Sequence, residues 1–454
     1  VLVLGAIASL AALAVTLGEY QKFVARGHLP WYFVFGAITA FLGWCAFRLR
    51  PTTRVIVAST GTLGAFLLFT TEVVLGLAAP AQQARVTQKV SERTGVPIDR
   101  RTVSEVVAGL RNSGVPAVPS VVPVVLLKQS GPLPNAATAW TGTMLPLAGL
   151  AHRPTVQLCN ESGQFTQYDS DRHGFANPDA VWSQSTIDLA LIGDSFTHGY
   201  CVDLELGYAG AIRARWPSTL NLGTGGSGPL AELATLTEFL PPLAPRTVVW
   251  QYFENDLADL SLEKQHEVLM SYLVPAFSQR LQSRQREVDD EVLRWLDRLS
   301  ARGIGDDLIL SFNWRQALRL YQLRSASAAL FGGSRSAAPA SLDLFRQVLL
   351  QARDRVAAWG GRMVFVFVPA WERYYNSGAF GDDDERRAVL SIARNLDLYV
   401  VDLEPLVREG LARHPLYARH ELANAHFNAA GYRLMADAVS RAIGDDRVPV
   451  IAQQ

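Results

Sequence analysis

Ile192-Gly193-Asp194-Ser195-Phe196-Thr197-His198-Gly199 decides how this chain is read, because it sets a serine directly behind a buried strand. The preceding residues, Thr186-Ile187-Asp188-Leu189-Ala190-Leu191-Ile192, form an apolar run rich in branched side chains, the pattern of a strand covered on both faces. Tyr200-Cys201-Val202 follow, and then a helical run through Tyr208-Ala209-Gly210-Ala211-Ile212-Arg213. Strand, glycine turn, serine and helix together present a hydroxyl at the C-terminal edge of a parallel sheet, where α/β folds keep their sites. The tripeptide alone is weak, since loop serines are more often turn formers.

Moving toward the C-terminus, apolar β-type runs recur at 187–192, 219–222, 248–253, 363–368 and 398–403. Helical patterns at 230–240, 342–359, 385–395 and 429–443 separate them. This alternation predicts an α/β domain over 155–454, with a parallel sheet covered by helices on both faces. Between the third and fourth runs, 257–340 carries helical spacing and many charges. It is expected as a helical insertion that either overhangs the site as a lid or serves packing alone. Residues 81–154 mix a helical stretch at 103–111 with the proline-rich run Val115-Pro116-Ala117-Val118-Pro119-Ser120-Val121-Val122-Pro123, and read as a linker or accessory segment.

Toward the N-terminus the chain becomes apolar. Residues 1–17, 31–47 and 55–79 each have about the length that crosses a bilayer as a helix, so 1–80 is expected to hold three transmembrane helices. The chain opens at Val1 without methionine, and residues upstream are expected. A cleaved signal peptide fits poorly, because no small-residue cleavage site follows the first run and two more spans come after it. Arg48, Arg50 and Arg54 crowd the link between the second and third spans, which places that link in the cytoplasm and everything after Pro80 outside it. The expected setting is the periplasmic side of a bacterial inner membrane. Glu72 would then lie near the outer interface, where a carboxylate costs little. Bilayer lipid is the implied partner. Three spans exceed what an anchor needs, so a membrane-protein partner is a further expectation.

The 454 residues balance 42 lysines and arginines against 42 aspartates and glutamates, and no basic run interleaved with aromatics occurs. That balance gives no support to nucleic-acid binding. Of three cysteines, Cys45 lies within the second span, while Cys159 and Cys201 flank the Gly-Asp-Ser strand and turn in the exported part. In an oxidising compartment these two are candidates for a disulfide; two buried free thiols are the alternative. Zinc-type Cys-His spacing is absent, and no metal or cofactor is expected.

Three further blocks fall at the ends of the expected strands or in the loops beyond them. Asn221-Leu222-Gly223-Thr224-Gly225-Gly226-Ser227-Gly228 lets backbone N–H groups approach a ligand closely, without the lysine-serine/threonine ending of a phosphate loop. Tyr252-Phe253-Glu254-Asn255-Asp256-Leu257 offers an asparagine amide at the same edge. His426-Phe427-Asn428-Ala429-Ala430-Gly431-Tyr432 opens the last helix with a histidine. A serine, oxyanion donors and a histidine are the parts needed for acyl transfer.

These blocks, in this order, resemble those of the SGNH (GDSL-like) hydrolases over about 168–443. The lead-in Tyr168-Asp169-Ser170-Asp171-Arg172-His173-Gly174-Phe175 is similar to that of some members. The resemblance implies a three-layer, flavodoxin-like α/β/α domain. It implies Ser195 as nucleophile, His426 as general base, and the Ser195 N–H, Gly226 (or Gly225) and Asn255 as oxyanion donors. Asp194 reads as a buttress of the turn, and His173, His198 and His420 as structural.

Two departures follow. Phe253 stands where the family usually has a glycine. The family's acid usually stands three, sometimes two, residues before the histidine, where this chain has Ala423 and Asn424. Replacing such an acid by its amide can cost on the order of 10⁴ in rate. Glu421, five residues before His426, with Asn424 as an orienter, is one substitute; a distant carboxylate is another. Otherwise a Ser-His dyad works slowly, or catalysis is lost.

The expected function is a membrane-anchored serine esterase or O-acyltransferase acting on acyl, above all acetyl, esters of extracytoplasmic glycans. One alternative is a weak or inactive SGNH-like subunit or binding module of a membrane complex. The other is a lipid esterase. The lipid reading predicts a large apolar pocket under 257–340, and the glycan reading an open polar groove with exposed aromatics such as Trp371 or Tyr374.

Overall fold

Eight strands form two sheets among the described residues of the computed structural model, which are 30–95, 97–129, 140–301, 339–375, 383–418, 425–444, Val3, Ala6, Ile7, Leu10 and Leu323. A small sheet joins β1 (Val118–Pro119), β2 (Pro154–Val156) and β3 (Gln167–Asp169), with β1 parallel and β3 antiparallel to β2. The larger sheet joins β4 (Leu189–Ile192), β5 (Thr219–Asn221), β6 (Thr247–Phe253), β7 (Arg362–Val368) and β8 (Tyr399–Asp402). All its pairings are parallel and its order is β5-β4-β6-β7-β8. Each strand falls within a residue or two of its predicted apolar run.

The continuous apolar text of these strands has a direct cause: both faces are covered. Successive residues point to opposite faces. Leu189 and Leu191 accordingly join the apolar cluster that holds Val364, Tyr432 and Met435, while Ala190 and Ile192 join the one that holds Trp250 and Phe365. Each fully buried Leu, Ile, Val or Phe contributes about 1.5–3 kcal/mol, so the two layers pin the register of β4 and with it the position of Ser195. Helices Pro229–Phe239, Pro339–Ala358, Asp384–Asn395 and Ala429–Gly444 match the expected helical patterns.

The segment expected as a linker contributes to this core. Val118, Val121, Leu126, Met144, Leu145, Leu147 and Leu150 are buried in the cluster that includes Ile192 and Trp250. Most of the described part of the insertion packs too. Glu263 of helix Asp256–Glu263 accepts N–H bonds from Gly228 (2.7 Å) and Leu230 (2.9 Å) at the start of helix Pro229–Phe239. Tyr272 donates its hydroxyl to Glu238 Oε1 at 2.6 Å. Of the insertion expected over 257–340 as a lid or as packing, residues 302–338 lie outside the described residues except for Leu323.

Contacts divide the chain into two compact units, one of Val1–Ala81 with Phe312–Phe331 and one of Gln82–Ser311 with Gly332–Gln454. In the first, helix Pro30–Arg48 covers the second expected span, and Pro51–Ala78 is long and apolar enough to cross a membrane. The first expected span lies almost wholly outside the described residues. Glu72 of helix Pro51–Ala78 is buried, and its Oε2 accepts the Leu323 N–H at 2.8 Å. A desolvated carboxylate needs such donors.

Candidate active site

The order β5-β4-β6 sends the crossovers that leave the adjacent strands β4 and β6 to opposite faces of the sheet, and the crevice between them is the switch point at which open α/β sheets bind ligands. Three of the four sequence blocks open there by construction. Ser195 follows β4, the glycine turn follows β5 and Asn255 follows β6.

Gly193 is required by close approach: a Cβ there would stand 2.3 Å from Thr197 Oγ1 and 2.6 Å from Gln251 Oε1. Asp194 caps the short helix Ser195–His198, its Oδ1 accepting the Phe196 N–H at 2.9 Å. As first residue of that helix, Ser195 carries one of the N–H groups that no helical carbonyl can satisfy. The glycine turn is tied to the nucleophile turn by Thr224 N–H to Gly193 O (3.2 Å) and by Asn221 Nδ2 to His198 O (3.3 Å). Of the two donor candidates, Gly225 is buried against the Tyr200 hydroxyl, whereas Gly226 is partly exposed at a left-handed φ of 70°. Phe253, in place of the usual glycine, stacks on Phe196 with ring centroids 4.3 Å apart. Glu254 beside it is locked by Arg373 and by the Ala370 N–H (2.6 Å). The half-buried Asn255 side chain makes no hydrogen bond among the described residues.

His426 arrives from the other end of the sequence and meets Ser195: Nε2 lies 2.8 Å from Ser195 Oγ. Its loop is held by the Ala418 N–H to His426 O (2.7 Å), and Asn428 Oδ1 caps the helix behind it through Ala430 (2.9 Å) and Gly431 (3.0 Å). The acid position is filled by a residue that sequence reasoning did not name. Glu161 Oε1 lies 3.0 Å from His426 Nδ1, and Oε2 accepts the His426 backbone N–H at 2.8 Å. One carboxylate thus holds both the ring and the main chain of the histidine. Glu421 and Asn424, expected as substitutes, and His420 lie outside the described residues.

Cys159 and Cys201 are disulfide-bonded, with Cα atoms 5.3 Å apart. Cys201 Sγ lies 3.5 Å from His426 Nδ1. The signal for Glu161 was present in these cysteines. A bridge from Cys159 to the residue next to Tyr200 necessarily brings Glu161, two residues along, beside the nucleophile segment. Cys159, Glu161, Cys201 and His426 place ligand-type atoms within 4.8 Å of one another. With both sulfurs joined in a bridge, neither is a thiolate that binds a metal.

Two neighbouring histidines have opposite electrostatics. Burial pushes His198 down to about 4, so its ring is neutral. Its Nδ1 faces the Gly223 carbonyl at 3.2 Å, which only a protonated nitrogen can do. Burial also opposes charge on His426, but the Glu161 carboxylate and then Asp194 outweigh it, and its pKa is raised. Burial raises the Asp194 carboxyl. His173 faces Gln285 Oε1 (3.2 Å) and packs edge-on against Trp182, a packing position.

Trp371, expected as an exposed aromatic, is buried, and Tyr374 is half-buried; exposed Tyr375 stacks on Trp371 with centroids 5.1 Å apart. A cavity of about 570 Å³ beside the insertion is lined by Arg280, Arg284 and Gln279 as well as Met144, Val268 and Phe277, so it is not the large apolar pocket of the lipid reading. A groove of about 620 Å³ is lined mainly by polar groups, among them His152, Gln167, Asp169, Asp203 and Glu205.

No protein-family model matches the sequence, and no curated protein matches it. Solved structures similar to the chain include LAE5, an alpha/beta hydrolase enzyme from the metagenome of Lake Arreo, Spain, at 16% identity over 56% of this chain and 94% of that one, with a TM-score of 0.32. A member of the lipolytic protein G-D-S-L family from Veillonella parvula is similar at 15% identity over 56% and 96%, with a TM-score of 0.31. The acetyl xylan esterase AlAXEase is similar at 12% identity over 56% and 98%, with a TM-score of 0.33.

Proposed function

We propose that this protein is a serine esterase or O-acyltransferase of the SGNH type, anchored in a membrane and acting on acyl esters outside the cytoplasm. The observation that carries the reading is the unbroken chain Ser195 Oγ, His426 Nε2, His426 Nδ1, Glu161 Oε1, with links of 2.8 and 3.0 Å. Glu161 holds the proton on Nδ1 and leaves Nε2 free to accept one from Ser195. The serine oxygen bonds to the ester carbonyl carbon and its proton passes to Nε2. The negative oxygen then rests against the Ser195 and Gly226 N–H groups and the Asn255 amide. His426 returns the proton to the departing alcohol, leaving an acyl-serine. Water or a sugar hydroxyl, deprotonated by the same nitrogen, takes the acyl group and restores the serine. The acceptor alone separates hydrolysis from transfer.

Helix Pro51–Ala78 supports the anchor, and the disulfide supports an oxidising compartment. A fluorophosphonate probe tests the chemistry. The wild type is expected to label at Ser195, and Ser195→Ala and His426→Ala to lose turnover by on the order of 10⁶. Labelling that persists without Ser195, or is absent from folded wild type, overturns the reading.

A further inference from the structure

The structure assigns a positioning role to the Cys159–Cys201 disulfide: it braces the turn that carries Glu161 against the nucleophile segment, and so holds the acid on His426. This deepens the ester-transfer reading above and rests on it.

The turn at 159–163 is clamped from two sides. On one side, the Asp99 N–H donates to Gly163 O (2.6 Å) and Asn160 Nδ2 donates to Asp99 O (2.9 Å), fixing the turn to the segment before helix Val103–Asn112. On the other side, the disulfide joins it to Cys201, whose N–H also donates to Gln157 Oε1 at 3.1 Å. Cys201 takes a left-handed φ of 70°, a conformation that residues other than glycine keep only where the surroundings over-determine it. Glu161 sits between the clamps, two residues from Cys159, and Cys201 is six residues from Ser195. The covalent bridge is therefore the clamp that ties the Glu161 turn to the segment of Ser195.

Two facts separate this role from others. Cys159 is 5% exposed and Cys201 0%, so the bridge opens only slowly and to a strong dithiol reductant, and acts as a standing brace, not a switch. Cys159, Tyr200 and Cys201 form their own small cluster, apart from the two that bury the sheet. Opening the bridge is therefore expected to spare the α/β core while loosening the acid.

The test uses the full chain in detergent, p-nitrophenyl acetate as ester and the fluorophosphonate probe for Ser195. Cys159→Ser/Cys201→Ser is expected to lose roughly a hundredfold in kcat, the scale of a misplaced catalytic group, with little change in KM. The acid limb of its pH–rate profile is expected to move to lower pH, because His426 loses its carboxylate partner. In a Glu161→Gln background the same two substitutions are expected to add little. A brace that serves stability alone would lower both backgrounds equally and leave the acid limb in place, and that result overturns the proposal.

Cys159→Ala/Cys201→Ala keeps the site apolar if the serine pair misfolds. If neither pair folds, wild type is opened with dithiothreitol and its thiols are counted by alkylation. Two electrons and two protons enter the protein, the S–S bond becomes two thiols, and dithiothreitol closes into its own disulfide. Slower labelling in opened protein that keeps the circular dichroism of the closed form supports the proposal, and opened protein that loses its fold overturns it. Equal labelling of opened and closed protein overturns this inference and leaves the ester reading standing. No labelling of closed wild type takes both down.

Discussion

The sheet edge and the Cys159–Gly163 turn supply the same site by different physics. Ser195, Gly226 and Asn255 each follow a strand of one parallel sheet, and their convergence comes with the strand order. Glu161 belongs to no strand. It reaches His426 because the turn carrying it is tied to Cys201 and to Asp99. Topology is a property of the whole fold and resists local change, whereas the acid depends on a few named contacts. The nucleophilic half should therefore be robust and the acid half fragile.

The sharpest way to break this contrast is Glu161→Gln. Turnover of p-nitrophenyl acetate is expected to fall by on the order of 10⁴, as when a triad acid becomes its amide. The acid limb of the pH profile should move down as the His426 pKa loses its main source of elevation. An unchanged profile would mean that the carboxylate is not the partner that matters. Next comes Asn255→Ala, where loss of one oxyanion donor is expected to cost roughly 10²–10³ in kcat without moving the pH limb. If the limb moves, the two halves are coupled and the contrast fails.

Gly226→Ala probes the turn itself. A left-handed φ costs an alanine about 1–2 kcal/mol, which should show as a lower melting temperature. The smallest effect is a linkage. His426 has a raised pKa in the folded chain, so the stability from its charged pair with Glu161 is full below the unfolded value of about 6.5. That stability is lost as pH rises through the folded value. The melting temperature should fall slightly across that window, and Glu161→Gln should flatten the fall.

The same contrast explains what the sequence could be made to say. All five strands of the large sheet were legible, because a strand buried on both faces writes an uninterrupted apolar run, as Leu189–Ile192 does. Ser195, Gly226 and Asn255 were legible as blocks because each follows such a strand, and His426 because its block opens the last helix. Glu161 was not, since no periodicity marks a carboxylate on a turn and its contact with His426 spans 265 positions. Only the pairing of Cys159 with Cys201 leads to it. Glu72 was read from its place near the end of the third expected span as lying at the outer interface, and its contact with the Leu323 N–H, distant in the chain, was not legible. Trp371 was expected in a groove as an exposed aromatic, but the loop after β7 folds it under Tyr375.

The contact between Glu72 and Leu323 has a consequence for how the molecule can be divided. Residues 312–331 group with the N-terminal helices, yet they lie on the crossover between β6 and β7, adjacent strands that pair over seven residues. The N-terminal unit is therefore not a tether that one cut could sever. A fragment beginning at Gln82 would still carry a piece whose mates, Glu72 among them, had been removed. Two cuts and a bridging loop in place of 312–331 are needed to release the second unit whole, and a nascent chain cannot complete its first unit until more than two-thirds of it has been made.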